Sequence, residues 1–149
     1  MQREKAETLA KLFFRTAPPF RRNYIKPPKL PDGPPRLPHH HMFCLIILMK
    51  SERESMGSLA EKLGVSNQQL TRIVGELVNE GLAERVFDES NRRAVFVCIT
   101  RKGRKLLEIH YRLVCKHIEQ NFAGLNDADT DALIYHLSEI SKILEKAEQ

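Results

Sequence analysis

A capped amphipathic helix at residues 66–81 constrains the fold of this chain more than any other stretch. Ser66 followed three residues later by Gln69 is typical of a capping box, in which two side chains satisfy backbone N–H groups at a helix start. Gly81 is the residue expected at a left-handed helix end. Apolar residues recur between them at helical spacing, which predicts one buried face: Leu70, Ile73, Val74, Leu77 and Val78.

The opposite face of this helix is polar near its N-terminal end, where it carries Asn67, Gln68, Gln69, Thr71 and Arg72. Side-chain amides and guanidinium groups can make paired hydrogen bonds to base edges, and the major groove of a duplex admits one helix. A solvated surface helix would contain the same residue types, so the neighbouring elements have to decide between the two interpretations. The pattern itself favours a helix that reads DNA.

The distribution of charge along the chain supports a polyanionic partner more strongly than the net charge does. The formal net charge is +5 and the pI is about 9.2, which many proteins without nucleic-acid partners share. Residues 92–105, however, contain basic residues and no acid at all. Such a block predicts a positive face, as expected of an electrostatic footprint for nucleic acid.

The cysteine pattern and the N-terminus predict a reduced, cytoplasmic setting without membrane insertion. The N-terminus is charged and helical in pattern, unlike a secretory signal. The longest apolar run, residues 42–49, is shorter than the roughly 20 residues that span a bilayer. Cys44, Cys98 and Cys115 are too few and too widely spaced for a disulfide framework, and a buried inert thiol is the expected state of each.

The residues before the capped helix predict a further pair of helices and a connector. A first helix is expected to about Arg15. All eight prolines lie within residues 18–38, which predicts a connector because proline cannot continue a helix. Residues 37–50 are apolar on nearly every side of a helix, and this predicts a central buried helix.

A second capped helix comes directly before the first. Ser58 with Glu61 repeats the capping-box pattern and is expected to open a short helix through Leu63, which Gly64 ends. Two capped helices joined by a short turn have the layout of a helix-turn-helix.

The pattern changes to strand and then back to helix after Gly81. Residues 82–87 and 94–100 are rich in apolar and β-branched types and flank a polar stretch, which predicts a β-hairpin. A long helix is expected from Arg101 to about Phe122, and a last helix capped by Asn126 or Asp127. The apolar seam of the last helix predicts dimerisation through Leu133, Leu137, Ile140 and Leu144, and the first helix has an apolar side with Leu9, Leu12 and Phe13.

These motifs resemble the MarR family of bacterial transcriptional regulators. The similarity lies in LAEKLGVS at 59–66, TRIV at 71–74 and LVNEGL at 77–82. It continues in DESNRR at 88–93, followed by Ile-Thr and a glycine at 103, which is similar to the wing pattern of the family. Two departures are Asn91, where a second acid is common, and the longer proline-rich connector.

The resemblance implies a mainly α fold with a small β-hairpin wing, a winged helix-turn-helix with N- and C-terminal dimerisation helices. The DNA-binding lobe would span about 42–105, and the dimerisation helices about 1–20 and 106–149 of a single domain. It also implies a homodimer that binds a pseudo-palindromic operator and represses transcription until an effector, here a small apolar or aromatic molecule, releases it.

Carried over to this chain, the resemblance assigns DNA contacts to two segments. The major-groove segment comprises Ser66, Asn67, Gln68, Gln69, Thr71 and Arg72. Arg92 and Arg93 would lie at the wing tip, one approaching the minor groove, and Asp88 would hold the loop. The residues of the effector site are not identified by the sequence.

Three alternatives stay open, two of them within the same fold. Cys44 would be the first candidate for a redox-responsive regulator. The histidines at 39–41, with His110, Cys115, His117 and His136, suggest a metal-responsive one, although their spacing is poor for zinc and no cofactor or metal is expected. A winged-helix protein-interaction module is the third. Enzyme motifs such as a glycine-rich phosphate loop or a nucleophile elbow are absent, so no catalysis is predicted.

Overall fold

A computed structural model describes residues 3–20, 37–87 and 95–147 of the chain. Helices dominate these residues, and a small antiparallel sheet of three strands accompanies them, as the fold-class prediction required. The elements in chain order are α1 (Arg3–Phe20), α2 (His39–Lys50), β1 (Glu54–Ser55), α3 (Met56–Leu63), α4 (Asn67–Asn79), β2 (Ala83–Phe87), β3 (Val95–Ile99), α5 (Arg101–Phe122) and α6 (Asp127–Ala147).

The chain divides into two compact units, and α5 contributes to both. The first unit comprises Met1–Pro27 and Cys115–Gln149, and the second comprises Pro28–Val114. In the described parts of the chain, no helix is both long enough and apolar enough to cross a membrane.

The core of the second unit is formed by α2, α3, α4 and the sheet. Its largest fully buried side chains are Leu45, Leu48, Leu59, Leu70, Ile73, Leu77, Val74, Val97 and Cys44. Each large apolar side chain buried in this way contributes about 1.5–3 kcal/mol. The predicted buried face of α4 is therefore confirmed, except that Val78 is only partly buried.

The caps of α4 are those that the sequence predicts. The Ser66 hydroxyl accepts a hydrogen bond of 3.2 Å from the Gln69 backbone N–H. At the other end Gly81 has a φ of 69°, and the Leu82 N–H donates to the Leu77 carbonyl at 2.8 Å. This is the bonding pattern of a Schellman motif, which stops the helix at a defined residue.

The N-terminal cap of α3 differs from the prediction. The cap is Ser55, three residues before the predicted Ser58, and its hydroxyl accepts from the Ser58 N–H at 3.2 Å. Ser58 instead donates its hydroxyl hydrogen to Glu54 at 2.6 Å. Both serines fit a cap by local pattern, and the pairing of Glu54 and Ser55 with β3 decides between them. The predicted end at Gly64 is confirmed, with a φ of 62°.

The sheet contains the predicted hairpin and one additional strand. Its order is β1-β3-β2, with Ala83 opposite Ile99 and Phe87 opposite Val95. The two-residue strand β1 carries no alternation that a sequence pattern could detect. The loop between β2 and β3 lies outside the described residues, and so do the predictions for Asp88, Arg92 and Arg93.

The prediction that α2 is buried on every side is wrong within this single chain. One face, with Cys44, Leu45 and Leu48, lies in the core of the second unit. Phe43, Ile46 and Met49 are exposed on the other. A helix that is apolar all round has more apolar surface than the second unit covers. The periodicity of the sequence does not show which of its sides stays exposed.

The helices of the first unit leave much of their apolar surface exposed. α1 continues past Pro18 and Pro19 to Phe20, beyond both the predicted end near Arg15 and the predicted start of the connector at 18. A proline inside a helix leaves the carbonyl four residues earlier without its usual N–H donor, so the sequence predicted an earlier end than the one observed at Phe20. Asn126 caps α6 by accepting from the Asp129 N–H at 2.8 Å. The exposed apolar side chains are Leu9, Leu12, Phe13, Phe14, Ile134, Tyr135, Leu137, Ile140, Ile143 and Leu144, and Leu133 is half-buried.

Candidate nucleic-acid interface

The outward side of α4 is a narrow polar stripe. A residue of an α-helix turns by about 100°, so the positions opposite the buried face recur at i, i+4, i+7 and i+11. These positions are Gln68, Arg72, Gly75 and Asn79, which we call the outer stripe. All except the half-buried Gly75 are exposed.

The predicted major-groove residues lie on or beside the outer stripe, but their polar groups are not equally accessible. Asn67, Gln68, Thr71 and Arg72 are exposed, and Gln69 is half-buried. The Ser66 hydroxyl caps the helix, and the Thr71 hydroxyl donates to the Asn67 carbonyl at 2.8 Å. The amides of Asn67 and Gln68 and the guanidinium of Arg72 are therefore the groups best suited to base edges.

Asn79 belongs to the outer stripe although the motif analysis did not single it out. It lies three turns beyond Gln68, at the C-terminal end of α4. The helical spacing of i+11 from Gln68 was the signal that could have found it. Gly75, between Arg72 and Asn79, was detectable by the same spacing.

A chain of hydrogen bonds connects Arg72 to the interior of the second unit. The Arg72 Nη1 donates to the Glu76 Oε1 at 2.9 Å, and the Glu76 Oε2 lies 2.6 Å from the His41 Nε2. The exposed fraction of the side chain falls along this series from 65% at Arg72 to 43% at Glu76 and 5% at His41. The residues 41 and 76 are 35 positions apart, so no local pattern could reveal the contact.

The electrostatics of this chain favour an ionised Glu76. The hydrogen bond with His41 lowers the pKa of the Glu76 carboxyl most. Desolvation opposes it, and the nearby charge of Arg72 adds to the lowering, so the pKa stays below its usual value. Because a carboxylate oxygen only accepts, the His41 Nε2 carries the hydrogen in this contact. The other ring nitrogen, Nδ1, is buried and has no hydrogen-bond partner among the described residues.

A compact joint holds the C-terminal end of α4 against the sheet and α5. The Thr100 hydroxyl donates to the Gly81 carbonyl at 2.7 Å and accepts from the Gly103 N–H at 3.1 Å. The Lys102 Nζ donates to the Glu80 carbonyl at 2.6 Å. A Cβ at Gly103 would lie 2.2 Å from the Leu82 carbonyl oxygen, so only glycine permits this approach. The joint orients the outer stripe relative to the hairpin.

The basic residues at the start of α5 are exposed: Arg101, Lys102, Arg104 and Lys105. Two of them make contacts within the chain, since Lys102 binds the Glu80 carbonyl and the Arg104 Nη1 lies 3.6 Å from the Met49 sulfur. Lys102 and Arg104 therefore contribute to contacts within the chain. Arg101 and Lys105 are exposed and can face solvent or an anionic partner.

Cys44 and Cys98 do not have the environment of reactive thiols. Cys44 is fully buried, and burial raises its pKa to about 11. Burial and, secondarily, the Glu84 charge also raise the pKa of Cys98. A thiol must ionise to react with an oxidant, and a raised pKa opposes ionisation.

The histidines 39–41 point in different directions. The His39 ring packs against Phe43 with centroids 4.4 Å apart, whereas His41 is buried and contacts Glu76. Across residues 3–20, 37–87 and 95–147, no group of three or more His, Cys, Asp or Glu side chains could hold a metal ion.

Comparison with known proteins shows similarity to one family of regulators. Residues 37–95 match the model of the MarR family. An HTH-type transcriptional regulator of Bacillus subtilis, YfiV, is 26% identical over 108 residues, which cover 72% of this chain and 68% of YfiV. The transcriptional activatory protein BadR of Rhodopseudomonas palustris is 40% identical over 55 residues, which span 37% of this chain and only 31% of BadR.

Solved structures show the same fold. The transcriptional regulator BldR of Sulfolobus solfataricus matches with a TM-score of 0.61 and 24% identity, over 98% of this chain and 99% of BldR. BpsR of Bordetella bronchiseptica, whose DNA binding is regulated by 6-hydroxynicotinic acid, matches with a TM-score of 0.57 and 22% identity, over 91% of each chain. A mutant of MarR from E. coli in complex with operator DNA gives a TM-score of 0.54 at 23% identity, over 70% of this chain and 75% of MarR.

The family match includes α2, β1, α3, α4 and β2, and it ends at the first residue of β3. Members of this family are transcription regulators and not enzymes, in agreement with the prediction from the motifs. Over residues 37–95 the chain is similar to the MarR family of transcriptional regulators, and its winged helix-turn-helix fold is that of the solved structures.

Proposed function

We propose that this chain is a homodimeric repressor that binds a pseudo-palindromic operator with α4 in the major groove and leaves it when a small effector binds. The observation that carries the proposal is the outer stripe of α4. It presents an amide, a guanidinium and a second amide from Gln68, Arg72 and Asn79 on a helix anchored at both ends. Arginine pairs with guanine and side-chain amides pair with adenine in the major groove.

The unpaired apolar surfaces of the first unit support the homodimer. Phe13 on α1 and Ile140 and Leu144 on α6 are about half exposed in the single chain. Soluble monomers rarely expose contiguous apolar surface on this scale, so a second copy is its natural cover. Two copies related by a two-fold axis would present two α4 helices to half-sites about 34–36 Å apart.

The wing extends the proposed interface to a neighbouring groove. Arg92 and Arg93 follow strand β2 on the loop of the hairpin, and an arginine there can follow the negative potential of a narrow minor groove. In this proposal one of the pair contacts DNA and the other pairs with Asp88. Arg92→Ala should lower the log–log dependence of affinity on salt by about one unit if that arginine binds a phosphate or the groove.

Two relatives inform the regulatory part of the proposal. BpsR is described as regulated by 6-hydroxynicotinic acid, a small aromatic acid, which supports an aromatic effector for this chain. BadR is described as an activatory protein, so a reporter assay with the operator in place has to establish the direction of regulation. Reporter expression that rises when the gene is deleted supports repression, and expression that falls contradicts it.

Selection of bound duplexes from a random pool tests the DNA-binding proposal most directly. We expect an enriched pseudo-palindrome with half-sites one helical turn apart, and affinity that falls steeply with salt. Sedimentation at micromolar protein should show a dimer. Absence of any enriched sequence, or a monomer under these conditions, would contradict the respective part of the proposal.

A winged-helix protein-interaction module is the second candidate, and the surface of α4 argues against it. Protein interfaces use exposed aromatic or large apolar anchors. None of the exposed large apolar side chains of the described residues lies on α4. A redox-responsive regulator is disfavoured by the raised pKa values of Cys44 and Cys98.

A further inference from the structure

An acidic residue stands next to the surface that is proposed to meet DNA. Glu76 is on the flank of the outer stripe, one turn after Arg72, and 43% of its side chain is exposed. A carboxylate in this position repels phosphates and so weakens binding to any duplex. An exposed ion pair between residues four apart contributes little net stability to a helix. The position of Glu76 therefore calls for a role other than stability.

The buried partner of Glu76 strengthens this conclusion. His41 lies on the core face of α2, where Cys44, Leu45 and Leu48 are fully buried. An imidazole there is unfavourable compared with an apolar side chain, because Nδ1 is buried without a hydrogen-bond partner in the part of the chain that the structure describes. What the ring supplies is one rigid donor, the Nε2–H, at 2.6 Å from the Glu76 Oε2. Glu76 is thereby held from the interior.

The geometry leaves Arg72 able to bind a base while it is held. A guanidinium has five N–H groups, and the contact with Glu76 uses one hydrogen on Nη1. The other donors suffice for paired hydrogen bonds to the O6 and N7 of guanine. A long side chain that is already oriented loses less conformational freedom when it binds, and an oriented guanidinium fits one base edge better than a mobile phosphate.

We propose that Glu76 and His41 are positioning residues that orient Arg72 towards a single guanine, so that Glu76 increases base discrimination while it reduces affinity for unrelated DNA. This proposal rests on the function proposed above, in which α4 enters the major groove. His41 and Glu76 are 35 positions apart, and the proposal gives them a joint role in sequence preference. Neither the wing pattern nor the helix-turn-helix pattern of the sequence predicts that role.

The test compares discrimination and non-specific affinity in one set of variants. Fluorescence anisotropy would measure affinity for the selected operator, for operators with single base-pair changes, and for a random duplex. For Glu76→Ala we expect discrimination at one G·C pair to fall about tenfold, as for one weakened paired base contact, and affinity for the random duplex to rise. His41→Phe, which keeps a ring but removes the donor, should lower discrimination at the same base pair.

Two controls separate the role of Glu76 from charge and from folding. Glu80→Ala removes the same charge near the end of α4, where the backbone carbonyl and not the side chain contacts Lys102, and it should leave discrimination unchanged. Glu76→Gln retains the size of the side chain and should show an intermediate loss. Thermal melting identifies any His41 variant that fails to fold, in which case the two Glu76 variants carry the test.

The outcomes distinguish this inference from the proposed function. If Arg72→Ala abolishes discrimination at that base pair and Glu76→Ala does not change it, the inference is overturned and DNA reading by α4 stands. If Arg72→Ala leaves sequence preference unchanged, Arg72 does not read a base and the inference is overturned. The proposed role of α4 fails only if Gln68→Ala and Asn79→Ala also leave sequence preference unchanged. In the double variant, Glu76→Ala should have no further effect on discrimination once Arg72 is absent.

Discussion

The helices α4 and α6 both have amphipathic sequences, but within the single chain only α4 has its apolar face buried. On α4, Leu70, Ile73 and Leu77 are buried by α2, α3 and the sheet, and the polar side faces outward. On α6, Ile140 and Leu144 remain about half exposed. The second unit thus has its own core, whereas the first unit has apolar surface that it does not cover. An amphipathic pattern shows that a helix will bury a face, but not in which chain the covering surface lies.

Removing core volume from the second unit should produce the largest effect. Leu45→Ala is expected to lower the free energy of unfolding by about 2–5 kcal/mol, because Leu45 is fully buried and its loss leaves a cavity. The matched variant Ile140→Ala in α6 should instead make the midpoint of urea unfolding more dependent on protein concentration. Urea unfolding at two protein concentrations checks both. Equal losses that do not depend on concentration would remove the contrast between the units.

A single methyl group at Gly103 should be the next most damaging change. The new Cβ of Gly103→Ala would lie 2.2 Å from the Leu82 carbonyl oxygen and 2.9 Å from the Ile99 side chain. The backbone has to shift, at a cost of about 1–3 kcal/mol. DNA affinity should fall as well, since this joint orients α4. Gly124→Ala in the first unit, where nothing lies within 4 Å of the new Cβ, is the control and should be nearly neutral in thermal melts.

Gly75→Ala should change stability in the opposite direction. Nothing lies within 4 Å of a Cβ at this position, and alanine is favoured over glycine inside a helix by about 1 kcal/mol. Because Gly75 lies on the outer stripe, the added methyl group should weaken operator binding while the melting temperature rises. A variant that is more stable and binds equally well would show that α4 does not approach DNA closely at this position.

The smallest expected effect is a pH dependence that arises at Glu54. Burial by itself would raise the pKa of this carboxyl, but hydrogen bonds from Lys62, Ser58 and Ser51 outweigh it and lower the pKa. The stabilisation is therefore present above the pKa of the unfolded chain and is lost as the pH falls through the lower, folded pKa. Glu54→Gln should lose stability at pH 7 and approach the parent chain in acid, as urea unfolding at several pH values would show.

The exposed pair of Lys142 and Glu139 on α6 provides the matched comparison for Glu54. Glu139→Gln should change stability little at any pH, since exposed ion pairs contribute about 0–1 kcal/mol. A larger effect at Glu139 than at Glu54 would mean that α6 is less exposed in solution than in the single chain, which would itself support the dimer.

Most of the fold was predictable because its determinants are local. The cap at Ser66, the left-handed ends at Gly64 and Gly81, and the cap at Asn126 each depend on residues within one turn of one another. The spacing of Leu70, Ile73, Val74 and Leu77 similarly identifies the buried face of α4. The errors occurred where a distant segment decides, as with Ser55 in place of Ser58 as the cap of α3.

In the candidate site, too, the residues with local determinants were predictable and the contacts between distant segments were not. The amides and the guanidinium near the start of α4 followed from the helical pattern, and the glycine at 103 was noted as part of the wing pattern that the family resemblance implies. The contact of His41 with Glu76 did not, because it depends on how α2 packs against α4. The sequence by itself determined which faces of the helices are apolar, where α4 begins and ends, and which residues present amide and guanidinium groups on it, since all of these depend on neighbours along the chain. Only the tertiary structure decided which of those side chains are fixed by hydrogen bonds and which residues make those bonds. Hydrogen bonds between distant segments exist only once the core has brought the segments together.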